Sequence, residues 1–125
     1  GEPVNAIHRS AAVSPSVVMT CGHFISANVS INALTRLGKT AVCNTGSVIE
    51  HGCVIGDHAF IAPGAVLNGD VTIGDNTFVG ANSVIKQGVV VGKNVIIGAG
   101  TVIIRDVPDG VTIVGNPGRI IKTQV

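Results

Sequence analysis

The stretch Val54–Ile85, "VIGDHAFIAPGAVLNGDVTIGDNTFVGANSVI", returns a large aliphatic residue at every sixth position: Ile55, Ile61, Leu67, Ile73, Val79 and Ile85. A helix of 3.6 residues per turn cannot keep that spacing on one face. Stepping outward by six takes in Ile7, Val13, Met19, Ile25, Ile31, Leu37, Cys43 and Ile49 on one side and Val91, Ile97 and Ile103 on the other. That makes seventeen positions, all apolar. Two residues before most of them stands a small or β-branched side chain: Ala41, Ser47, Cys53, Ala59, Ala65, Val71, Thr77, Ser83, Val89, Val95 and Thr101. Three residues after many of them stands a residue that tolerates positive φ, as at Asn28, Gly46, Gly52, Gly64, Asp70, Asn76, Asn82, Gly88, Asn94 and Gly100.

Each hexad therefore reads as a short strand followed by a corner, with residues two apart facing the same side. Three such sides, about 18 residues, close one triangular coil, and coils stacked about 4.8 Å apart pair strand to strand in parallel around a continuous aliphatic column. Seventeen hexads make five to six coils. The expected fold is all-β, a parallel β-helix. At "RDVPDGVTIVGNPGRIIKTQV" the rhythm stops: Pro108 lacks a ladder donor and Asp109-Gly110 signals a turn. The expectation is one domain over 1–125, with coils over about 7–107 and a cap over 108–125 that covers the open edge of the last coil.

Composition narrows the function. Three Phe with no Trp or Tyr leave an interior built from Ile, Val, Ala and Leu, which suits a narrow and regular core. The net charge of +1 and scattered Lys and Arg residues give neither the electrostatic footprint nor the stacking platforms of a nucleic-acid binder. No run of eighteen apolar residues occurs, and "GEPVNAIHRS" has no signal-peptide core, so a cytoplasmic protein without membrane insertion is expected. Three cysteines without close pairing fit a reducing compartment rather than a disulfide framework.

The Gly-punctuated hexads and the closing "VPDGVTIVGNPGRII" resemble the hexapeptide-repeat acyltransferases, and "NTGSVIEHGCVIGD" (Asn44–Asp57) is similar to the sugar O- and N-acetyltransferases of the sialic-acid and bacillosamine type. Periodicity gives coils but no handedness; the left hand, contrary to the usual crossover rule, is what the resemblance implies. It also implies a homotrimer with sites between subunits, acetyl-CoA as acyl donor, no metal in the chemistry, and a sugar or sugar-nucleotide acceptor such as a nucleotide-linked 4-aminosugar, in cell-surface polysaccharide biosynthesis. Members commonly carry an N-terminal domain that binds the sugar nucleotide. Here the chain begins almost at the first hexad, so that domain is expected to be absent.

Counting from inward Ile49 places Glu50 and His51 on the way to the corner at Gly52, both pointing outward. On residues alone, an outward histidine is most simply an exposed turn residue. The resemblance makes His51 the general base that takes a proton from the acceptor amine or hydroxyl, a task suited to imidazole because it changes charge near neutral pH. Where relatives often carry an acid directly after this histidine, this chain has Gly52, with Glu50 or an acid from another chain as the substitute. Phe60 stands where relatives often place a second histidine and is expected to pack on the acyl chain or pantetheine. Ala81 and Ala99, one coil apart, are expected to line the coenzyme groove with their backbone groups. Asn44 is the candidate for holding the acceptor sugar, and Arg119 or Lys122 for meeting coenzyme phosphates.

His58 occupies a positive-φ position and reads as an exposed turn, while His23 falls at an inward position in the irregular "TCGHF" segment. Two other functions use such coils. A zinc carbonic anhydrase needs three converging histidines, whereas His51 and His58 lie seven apart and Cys43 and Cys53 face the core. A structural or ice-binding β-helix needs a repeated outward array of Thr, which this chain lacks.

Overall fold

A computed structural model describes residues 4–123; the first three residues, and residues 124 and 125 of the expected cap, lie outside the described part. Seventeen two-residue strands, from Ala6–Ile7 to Val102–Ile103, wind in parallel around three faces. The first face begins with Ala6–Ile7 and Phe24–Ile25, the second with Ala12–Val13 and Ser30–Ile31, and the third with Val18–Met19 and Arg36–Leu37. Up to Val84–Ile85 each strand pairs with the one eighteen residues on, so Val42 lies beside Phe60 and Phe60 beside Phe78. Backbone bonds follow the same step: the Glu50 N–H donates to the Leu67 carbonyl at 2.9 Å.

The second residue of each strand faces in and the first faces out. Ile49, Ile61, Leu67, Val79, Ile85 and Ile97 are fully buried, as are the small partners two residues earlier, Ser47, Ala59, Ala65, Thr77, Ser83 and Val95. The first described coil is less covered: Ile7 is 43% exposed, and Val13 and Met19 are half-buried. Corners turn on positive φ at the expected Asn, Asp and Gly residues and at His58. They also turn at Leu34 (φ 63°) and Thr40 (φ 53°), where the side chain offers no such tolerance and the conformation is strained.

After Ile103 the chain crosses the end of the prism. Val111–Val114 adds to the first face in parallel with Ile96–Ile97, burying Val111 and Ile113, and Arg119–Thr123 folds back on it antiparallel. The apolar column therefore ends under a hairpin rather than at an open edge. The three corners differ in what they carry, and that difference positions the candidate site.

Candidate active site

His51 stands at the corner between the second and third faces, between strands Val48–Ile49 and Val54–Ile55, and is exposed. Two backbone bonds fix the corner: the Asp70 N–H donates to the His51 carbonyl at 2.9 Å, and the Gly52 N–H donates to Ala33 at 2.9 Å. Gly52 takes φ +69°, and the Asp70 carboxylate of the next coil lies over it, where a Cβ would otherwise stand. Gly52 is thus covered by a carboxylate from one coil further on.

Glu50 faces the other way. Its Oε2 accepts from Asn32 Nδ2 at 2.8 Å, one coil toward the N-terminus, and its carbonyl accepts from Thr35 Oγ1 at 3.1 Å. The imidazole instead lies against Gly69, one coil toward the cap: a Cβ on Gly69 would fall 2.7 Å from His51 Cε1 and 2.9 Å from Nε2. Glu50 and His51 share the corner, but no ion pair joins them among the described residues.

The other expected residues lie elsewhere on the prism. Asn44, Ala81 and Ala99 occupy the corner between the first and second faces, in three successive or near-successive coils, and Asn44 Oδ1 accepts from the Thr45 N–H at 2.8 Å. Phe60 points out of the first face and stacks on Phe78, with ring centroids 5.2 Å apart. Arg119 and Lys122 are on the cap hairpin. Within the chain, then, the candidate residues fall into two corner groups, a face and the cap hairpin. Grooves of about 340 and 500 Å³ lie at the cap, beside Ile104 and Arg105, and at the first coils, beside Phe24 and His8; neither is lined by His51.

His58 adopts φ 57° at the corner between the third and first faces. His23 is buried; its Nδ1 accepts from the Ala41 N–H at 3.0 Å, its Nε2 has no partner, and burial holds its pKa below the usual imidazole value. Cys43 and Cys53 face the core, and burial pushes their thiols up to about 12 and about 11. Among the described residues, no three His, Cys, Asp or Glu side chains gather as ligands for one metal ion. Sequence reading passed over Gly69 and named Asp70 only as a corner residue; stepping by eighteen from His51 and Gly52 would have placed both beside the candidate base.

Residues 22–69 match the family described as bacterial transferase hexapeptide (six repeats), and residues 70–105 match the hexapeptide repeat of succinyl-transferase. The chain belongs to the hexapeptide-repeat transferases. Among solved structures it is similar to PerB from Caulobacter crescentus in complex with CoA and GDP-perosamine, with a TM-score of 0.95 and 42% identity over 96% of this chain and 58% of that one. It is also similar to the acetyltransferase domain of PglB from Neisseria gonorrhoeae FA1090 (TM-score 0.93, 35% identity, 94% of this chain and 57% of that one), solved with acetyl coenzyme A as well. A third is WeeI from Acinetobacter baumannii AYE (TM-score 0.89, 34% identity, 92% and 57%). The coils are those of the left-handed parallel β-helix of hexapeptide-repeat acetyltransferases. This hexapeptide-repeat chain spans less than three-fifths of the length of each of these structures.

Proposed function

We propose that the protein transfers an acetyl group from acetyl-CoA to an amino group of a nucleotide-linked sugar, with His51 as general base. The supporting observation is His51 itself: an exposed imidazole on a corner whose backbone is bonded to the coils on both sides, in a chain 42% identical to PerB and 41% identical to a mutant perosamine N-acetyltransferase, both solved with CoA and GDP-perosamine. In that reaction the neutral imidazole accepts a proton from the acceptor nitrogen as the nitrogen attacks the thioester carbonyl. The new N–C bond forms, the C–S bond breaks, and the proton leaves with the coenzyme thiolate, with no covalent enzyme intermediate.

The placement of the remaining residues favours a homotrimer. One corner carries His51 and Glu50, another carries Asn44, Ala81 and Ala99, and only a neighbouring copy can bring the second corner against the first. The outward residues of the first face, Phe24, Val42, Phe60, Phe78 and Ile96, are apolar, as packing between copies requires. In this arrangement the backbone of Ala81 and Ala99 bonds pantetheine, Phe60 packs on the acyl group, Asn44 holds the sugar, and Glu50 braces the strand end below His51. An acetyl-CoA-dependent sugar acetyltransferase of this kind serves cell-surface polysaccharide synthesis from the cytoplasm, where its donor is made. No helix among the described residues is long and apolar enough to cross a membrane.

The test is a screen of amino and hydroxyl sugar nucleotides, GDP-perosamine first, with acetyl-CoA and detection of free thiol. His51→Asn is expected to lower kcat by about 10²–10⁴-fold while the thermal midpoint stays unchanged. Near-normal turnover in that variant would remove His51 from the mechanism.

A further inference from the structure

We propose that Gly69 is the positioning residue of this site: its missing side chain makes the seat that holds the His51 imidazole against the next coil. The inference rests on the reading of His51 as the base, and its test separates the two.

Gly69 lies eighteen residues after His51 in the same corner column, which runs Pro15, Ala33, His51, Gly69, Gln87, Arg105. The backbone there does not require glycine. Gly69 is absent from the positive-φ residues, so an L-residue fits its conformation. Nor is glycine part of the corner pattern. Of the seventeen residues that stand two after an inward large side chain, from Arg9 to Arg105, Gly69 is the only glycine.

What does require it is the ring. A Cβ built on Gly69 falls 2.7 Å from Cε1, 2.9 Å from Nε2 and 3.3 Å from Nδ1 of His51, all inside the 3.5–4.0 Å at which non-bonded carbons rest. The three nearest atoms all belong to one imidazole, so the space left by the absent side chain is the space the ring occupies. The Asp70 N–H bonded to the His51 carbonyl holds the backbone beneath. Glu50 is drawn to Asn32 on the opposite side, so it gives the ring no competing anchor. The seat therefore sets the direction in which the ring presents its nitrogens.

Gly69→Ala moves the ring without touching the fold. The seat is overfilled by nearly an ångström, and a misplacement of that size costs on the order of 10²-fold in a reaction that depends on near-attack geometry. With GDP-perosamine and acetyl-CoA we expect kcat to fall by about that factor, KM for acetyl-CoA to change less than about twofold, and the thermal midpoint to stay level or rise, since alanine restricts the unfolded chain. In the His51→Asn background the same substitution should have no further effect on kcat, because its action passes through the ring. An acceptor-free measurement stands beside this: the His51 ring proton resonances should shift in Gly69→Ala while those of His8, His23 and His58 stay in place. A kcat within twofold of wild type, an equal loss in both backgrounds, or an unmoved His51 resonance would each overturn the seat. A fully active His51→Asn would instead sink the base.

Discussion

Lowering the pH should loosen the early coils through His23, and a single substitution isolates the effect. His23 points into the apolar column at 1% exposure, one coil before Ala41. Because Nδ1 accepts from the Ala41 N–H, the proton of the neutral ring sits on Nε2, which has no partner. A second proton would have to enter on Nδ1, facing a donor that already points at it. That leaves the buried Ala41 N–H unpaired, at a cost of about 1–3 kcal/mol, and adds a charge to an apolar interior. Burial accordingly lowers the folded-state pKa below the unfolded value of 6.5. The sign follows by linkage: the unfolded chain binds the proton first as pH falls. Stability from the neutral ring is thus complete above about pH 6.5 and is lost below it, at up to about 1.4 kcal/mol per pH unit, until the folded ring also protonates.

Other groups titrate in the same window, so the measurement is a difference. His23→Thr suits it, because Thr77 holds the same inward position three coils on and its Oγ1 accepts from the Val95 N–H as His23 accepts from Ala41. Thermal midpoints of both proteins are taken between pH 7.5 and 5. The wild type should lose stability relative to His23→Thr by about 1 kcal/mol or more at the acid end, a few degrees in midpoint for a chain of this size. A gap that stays constant with pH would refute the assignment of a buried, neutral His23.

Two further predictions test the packing. Under native conditions at pH 8 a disulfide reagent should titrate one thiol, exposed Cys21, and three after denaturation, since Cys43 and Cys53 are buried with pKa values pushed up to about 12 and about 11. Gly74→Ala should lower the thermal midpoint by the equivalent of about 1–3 kcal/mol: its Cβ would stand 2.6 Å from the Lys93 amide nitrogen, and backbone of an adjacent coil cannot rotate away as a side chain can.

Most of the fold was legible because a hexad carries its own geometry. An inward residue every six, a small one two before it and a φ-tolerant one three after it specify side, core and corner within a single repeat, and Ile61, Ala59 and Gly64 do so together. The end of the coils was legible for the same reason, since Pro108 cannot continue the ladder. What escaped were features that depend on the eighteen-residue step between coils. Leu34 and Thr40 adopt positive φ although their side chains argue against it, because the coils on either side impose the corner. Glu50 looked like a partner for His51 because it is adjacent in sequence, yet side chains at a β-helix corner meet their neighbours along the column. Asn32 claims Glu50, and Gly69 receives His51.

The same column geometry sets apart the candidate residues of the proposed site. Asn44 and His51 lie seven positions apart, just over one side of the triangle, so the two stand on different corners whatever the register of the coils. A corner is convex, and its outward imidazole is open to water. The dry, donor-lined environment that the proposed acyl transfer needs has to come from another surface. Two grooves among the described residues lie at the ends of the prism, beside Phe24 and beside Arg105, and neither is lined by His51. A stiff prism cannot fold a lid over its own corner, because each residue there is tied to coils above and below by bonds such as Asp70 N–H to His51 and Gly52 N–H to Ala33. Its rigidity makes the corner a fixed point, on which, under the function proposed above, a second copy would complete the site and a one-carbon change at Gly69 would be felt at the His51 ring instead of being absorbed by the backbone.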